Sequence, residues 1–142
     1  CALPILPFIV RGPGIRGGTF SREAVVTTDI YPTIMAAAGI TEKLPKKLEG
    51  ANLLPYLKNS EKHRIKRKDP FLAFKYSKPN QPHEIVIIEG DYKLLKNEKS
   101  GHLYLWNLKE DPGESKNLVN DKPEFVNKLH LKMTQYFDQF TN

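Results

Sequence analysis

The spacing of apolar and polar positions changes along the chain. Residues 6–10 form a short apolar run, the pattern of a buried strand, and lead into Arg11-Gly12-Pro13-Gly14-Ile15-Arg16-Gly17-Gly18. Four glycines and a proline in eight residues predict a loop with several turns. Residues 23–27 are extended in character. Ile30, Ile34 and Ala37 then recur at helical spacing, with Pro32 in the first turn and Gly39 just past the end. The pattern predicts a helix over residues 29–38. Asp29 is expected to cap it, its carboxylate accepting from the free amides of the first turn rather than binding a metal.

Beyond residue 69 the period becomes two. Strands are predicted over residues 71–76, 84–89, 92–96 and 102–108. Gly90-Asp91 is a two-residue hairpin signal, and residues 97–101 form a longer polar turn that ends in glycine. Asp111-Pro112-Gly113-Glu114 is a further turn. The last helix opens at Asp121-Lys122-Pro123-Glu124, where Asp121 and Glu124 have the spacing of a capping box. Phe125, Leu129, Met133, Tyr136, Phe137 and Phe140 recur on one face and are expected to be core. The architecture is therefore α+β, with an antiparallel four-stranded meander packed against a C-terminal amphipathic helix.

Composition narrows the picture. With 39% hydrophobic and 27% charged residues among 142, the chain is too apolar to be disordered and long enough to bury a core. No apolar run approaches the roughly 18–20 residues of a membrane span. The chain starts at Cys1 and runs directly into apolar sequence, so it is expected to be a piece of something longer. The net charge of +6 is uneven: +2 over residues 1–57, +5 over residues 58–68 and −1 over residues 69–142. The basic stretch reads as an exposed loop or linker. Its alternative use is contact with a polyanion through Arg64, Lys66, Arg67 and Lys68, such as nucleic acid or a sulfated glycan. No aromatic residue lies within it, which argues against single-stranded nucleic acid.

No complete active site emerges from motifs. The Gly/Pro loop matches neither the Walker nor the dinucleotide pattern, and a Gly-x-Ser-x-Gly elbow is absent. The four histidines, His63, His83, His102 and His130, show no metal-ligand spacing; His102 and His130 are expected on the surface of a strand and a helix. No Asp-x-Asp cluster suits calcium or magnesium. Catalytic and metal-ligating residues are not assigned to any position of this chain.

The ordered set of segments is more telling. Pro7-Phe8-Ile9-Val10-Arg11-Gly12-Pro13-Gly14-Ile15, then Thr28-Asp29-Ile30-Tyr31-Pro32-Thr33-Ile34-Met35-Ala36-Ala37-Ala38-Gly39, then Glu49-Gly50-Ala51-Asn52-Leu53-Leu54-Pro55-Tyr56-Leu57 resembles the later part of the sulfatase family, within the alkaline-phosphatase-like superfamily. Gly90-Asp91-Tyr92-Lys93-Leu94-Leu95, His102-Leu103-Tyr104-Leu105-Trp106-Asn107-Leu108, Asp111-Pro112-Gly113-Glu114 and Lys116-Asn117-Leu118 resemble that family's C-terminal subdomain. The resemblance implies three parts. Residues 1–57 would be the tail of a larger α/β core, contributing a strand, a loop and a helix. Residues 58–69 would be a basic linker, and residues 70–142 the subdomain itself.

The resemblance further implies hydrolysis of sulfate esters by a formylglycine made from a Cys or Ser in a Cys/Ser-x-Pro/Ala-x-Arg motif, assisted by calcium. Both belong to an N-terminal catalytic domain upstream, which would be this chain's partner. Cys1 is not that nucleophile, because Leu3 and Ile5 stand where the motif has Pro/Ala and Arg. The subdomain is expected to close over the pocket of a sulfated substrate, a glycan among the options, with Lys78 and His83 as substrate contacts. The resemblance implies a periplasmic, extracellular or lysosome-like location. Two other readings stand beside it: a free-standing polyanion-binding module, and part of a related phosphatase or phosphotransferase.

Overall fold

The computed structural model describes residues 8–40, 48–76 and 83–140. They fall into two compact units that divide between Lys68 and Asp69.

In the first unit, residues 8–10 take no strand conformation, and residues 6 and 7 lie outside the described residues. A single turn of 3-10 helix, Thr27–Asp29, runs into α1, Ile30–Ala37. The end of α1 follows the sequence. Gly39 takes φ +70°, its amide donates to Ala36 O, and the Ile40 amide donates to Met35 O. These paired bonds form a Schellman motif, which a side chain at the left-handed position would strain. The start differs from expectation. No side chain caps α1, and the Asp29 carboxylate is turned away from its first-turn amides. A short helix not foreseen from the sequence, α2, spans Leu54–Lys58 with a proline in its first turn.

The second unit is a meander of four antiparallel strands in sequence order: β1 Leu72–Tyr76, β2 Glu84–Glu89, β3 Tyr92–Asn97 and β4 Leu103–Asn107. Glu89 pairs with Tyr92 across Gly90-Asp91. Gly90 has φ +59° while Asp91 does not enter the positive region, so the glycine alone supplies the unusual backbone that a two-residue turn needs. The register places Ile87, Leu94 and Leu105 side by side on one face. Helix α3, Pro123–Asp138, lays Val126, Leu129 and Met133 against them, and all six are buried. Burying each such side chain stabilises by roughly 1.5–3 kcal/mol. Phe71 and Tyr136 meet edge to face at 5.4 Å, and Tyr92 meets Phe125 at 4.6 Å.

The helix departs from the expected pattern in three places. Lys122 occupies the N-cap with no side-chain bond, so the Asp121/Glu124 capping box does not form. Phe140 lies beyond the helix end and is 61% exposed, leaving the stripe one residue short. His130 is not a plain surface residue: its Nε2 is buried with no hydrogen-bond partner among the described residues.

The outer edge of β4 is closed by the chain that follows. Asn117 Oδ1 accepts from the Leu105 amide at 2.9 Å, and the Leu118 amide donates to Leu105 O at 2.7 Å. The Asp111 amide donates to Asn107 O at 2.8 Å.

Candidate functional site

Asp29 is the centre of the first unit. Its side chain is fully buried, and its two oxygens take four donors. Oδ1 accepts from the Ala51 amide at 2.7 Å and from Arg67 Nη1 at 2.6 Å. Oδ2 accepts from the Val26 amide at 2.9 Å and from Arg67 Nη2 at 2.7 Å. Arg67 thus meets the carboxylate with both prongs of its fork, and Nη2 also donates to Ala24 O. Burial alone would push the Asp29 carboxyl up. The Arg67 guanidinium and the two amides outweigh it and hold the group below its ordinary 3.8. Thr33 extends the network, donating to Asp29 O at 2.6 Å and accepting from the Leu53 amide at 2.9 Å. Gly50 is forced by the same crossing, because a Cβ there would sit 2.0 Å from Thr28 O.

This network divides the four basic residues singled out for polyanion contact. Arg67 is committed to Asp29. Arg64 is exposed and donates to Ser60 O at 2.9 Å, while Lys66 and Lys68 are exposed. The basic segment is therefore anchored to the first unit through one of its own cations.

In the second unit, the polar end of the sheet gathers residues from three segments. Glu98 stands just past β3, with Oε1 3.2 Å from Lys75 Nζ and Oε2 3.8 Å from His83 Nδ1. Its amide donates to His83 O at 2.8 Å, fixing the two backbones together. His83 remains 54% exposed. Lys78 lies outside the described residues. The arrangement presents an imidazole and an ammonium, oriented by one carboxylate, at the mouth of the β1–β2 connection. His83 is legible in the sequence, whereas Glu98 and Lys75 carry no motif and meet only through strand pairing.

A second ion pair was hidden in a turn. Lys93, only 1% exposed, points its ammonium at both oxygens of Glu114, at 2.7 and 2.8 Å, and lies 5.3 Å from the Trp106 ring centre. Glu114 reaches it from a backbone φ of +56°, the one non-glycine residue in the positive region among the described residues. That conformation costs of order 1 kcal/mol and persists because the ion pair holds it. Asp111 braces the same turn, accepting from the Lys116 amide and the Ser115 hydroxyl, and these bonds hold its carboxyl below the ordinary value.

Among the described residues, no group of three or more His, Cys, Asp or Glu side chains could hold a metal ion. Calcium therefore has no fitting donor set among the described residues. No helix among the described residues is long and apolar enough to cross a membrane.

The second unit is thus an antiparallel meander backed by one long helix. The family described as N-sulphoglucosamine sulphohydrolase, C-terminal, matches residues 5–140, and the chain belongs to it. It is 29% identical to human arylsulfatase K over 140 residues, covering 90% of this chain and 25% of that protein. It is also 29% identical to a Δ4,5-hexuronate-2-O-sulfatase of Bacteroides thetaiotaomicron over 125 residues, covering 82% of this chain and 24% of that protein. The chain thus spans about a quarter of the length of the curated relatives it matches. The fold recurs in a B. thetaiotaomicron protein provisionally described as a sulfatase, with TM-score 0.73, 23% identity and coverage of 90% of this chain and 28% of that one. It recurs in a 2-O glycosaminoglycan sulfatase with TM-score 0.65, 22% identity and coverage of 78% of this chain and 24% of that one.

Proposed function

We propose that this chain is the C-terminal part of a sulfate-ester hydrolase, and that it helps to shape the substrate pocket without carrying the nucleophile or the metal ligands. The family match over residues 5–140 carries the reading. The exposed apolar surface of the first unit supports it. Phe8, Ile9, Phe20, Val25, Ile30, Tyr31, Ile34 and Ile40 are all exposed, while its buried apolar side chains among the described residues are small in number, with Ala51, Leu53 and Pro32 foremost. A piece cut from a larger core leaves such a surface, and the upstream catalytic domain is the partner that covers it.

The substrate class we propose is a sulfated sugar. One relative is named a Δ4,5-hexuronate-2-O-sulfatase, one protein of the same fold is described as a 2-O glycosaminoglycan sulfatase, and another was solved with D-glucosamine-2-N,6-O-disulfate as its substrate. His83, with Lys75 and Glu98 behind it, and Lys78 beside it in sequence, would offer donors to such an anion. Formylglycine and calcium would be supplied upstream.

The test starts with the mass and sequence of the natural polypeptide. An upstream extension of several hundred residues with a Cys/Ser-x-Pro/Ala-x-Arg motif is expected. In that longer form, His83→Ala should raise KM for a sulfated sugar about tenfold with a smaller effect on kcat, the loss of roughly one charged hydrogen bond. Robust sulfate-ester turnover by the 142-residue chain alone, or an extension without the motif, would overturn the reading.

A further inference from the structure

The face of the sheet turned away from α3 carries chemistry that the hydrolase reading does not use. Strand register sets Glu84 opposite Asn97, and Leu95 opposite Tyr104. With Trp106 they line a cavity of about 250 Å³. That is just under the roughly 300 Å³ at which small-molecule pockets begin, a size for one ring rather than a chain.

Each wall has a defined chemistry. The Tyr104 and Trp106 rings lie parallel within 6°, their centres 5.7 Å apart. The Lys93 ammonium, paired with Glu114, lies 5.3 Å from the Trp106 ring centre, and Trp106, only 7% exposed, backs the more open Tyr104 ring. Leu95 is buried and adds an aliphatic floor. Asn97 Oδ1 is taken by the Lys99 and Ser100 amides at 3.1 and 3.0 Å, which leaves its Nδ2 to donate. The Glu84 carboxylate has no hydrogen bond or ion pair among the described residues, so it can accept.

A carboxylate acceptor and an amide donor on one rung, beside stacked aromatics, is the complement of a sugar ring. The C–H face of a pyranose lies on the exposed Tyr104 ring, and two neighbouring hydroxyls bridge the carboxylate and the amide. A sulfate group would be repelled by Glu84. We propose that this face of the sheet binds an unsulfated pyranose ring, at a site separate from His83 and independent of whether the parent hydrolyses sulfate esters.

Trp106 is the chain's single tryptophan, so its emission reports on this cavity alone. Methyl glucoside titrated into the chain should give a saturable change with a Kd in the millimolar range, of order 1–10 mM, and glucose 6-sulfate should bind at least about tenfold more weakly. Tyr104→Ala removes a side chain already 36% exposed and should weaken binding about tenfold. Asn97→Asp keeps the acceptor that the turn amides need, removes the donor, and should do the same. Glu84→Gln should narrow the gap between neutral and sulfated sugars. Amide spectra that match the unaltered chain outside the cavity establish that each variant is folded. The proposal is overturned by no saturable change up to about 100 mM, by sulfated sugar binding as well as neutral, or by folded Tyr104→Ala and Asn97→Asp variants that bind like the original.

Discussion

Replacing Arg67 by methionine isolates the electrostatics of the first unit. The substitution keeps the aliphatic stem and removes the fork, leaving a fully buried carboxylate with only the Ala51 and Val26 amides as donors. Stripping one partner from a buried ion pair costs about 3–5 kcal/mol. The two remaining amide bonds place this case at the lower end, about 3 kcal/mol. At 1.36 kcal/mol per tenfold, the hydrogen-exchange protection of the Ala51 and Leu53 amides at pH 7 should drop about 150-fold. The pH dependence should also weaken. In the unaltered chain the Asp29 carboxyl is held below 3.8, so its contribution is complete above that value and is lost as pH falls through the lower folded value. Without Arg67 only the Ala51 and Val26 amides oppose burial, the carboxyl rises from its lowered folded value, and the variant loses less stability than the original as pH falls below about 4. Protection within about threefold of the original, with no relative recovery in acid, would return Arg67 to the surface cations.

Three further outcomes are expected. Glu114→Gln should cost the second unit about 3 kcal/mol by urea unfolding followed through Trp106, since the buried Lys93 ammonium loses its counter-charge; Lys93→Met combined with Glu114→Gln should recover most of that. Burial, with a smaller contribution from Lys96, holds the His130 imidazole below its ordinary 6.5. The unfolded chain therefore takes up the proton first, the urea midpoint should fall as pH drops through 6.5 toward the lower folded value, and His130→Leu should flatten that fall. Gly50→Ala should destabilise the first unit by about 2 kcal/mol or more, measured by the same amide exchange, because a methyl there meets the Thr28 carbonyl at 2.0 Å and backbone must move.

Features set by neighbours in sequence were legible before the structure. Period-two runs and Gly90-Asp91 placed both ends of all four strands to within a residue, and Gly39 placed the end of α1. What failed was set by partners far along the chain. Asp29 has the position and residue type of a cap, and only the arrival of Arg67, 38 residues later, turns its carboxylate inward. Lys93 and Glu114 looked like a strand residue and a turn residue, and nothing local signals that they meet across 21 residues. Phe140 continued the hydrophobic period, but the helix ends at Asp138 and periodicity carries no information past the last turn. The aromatic cavity needs strand register to exist at all, since Glu84 and Asn97 come together only when β2 and β3 pair.

The closed edge of β4 bears on how such chains can assemble. An exposed strand invites another molecule to dock alongside it and propagate a ribbon. On β4, the outward amide and carbonyl of Leu105 are both occupied by the chain's own Asn117 and Leu118, and Asp111 takes the Asn107 carbonyl. Fibre growth from that side would first have to peel away residues 111–118.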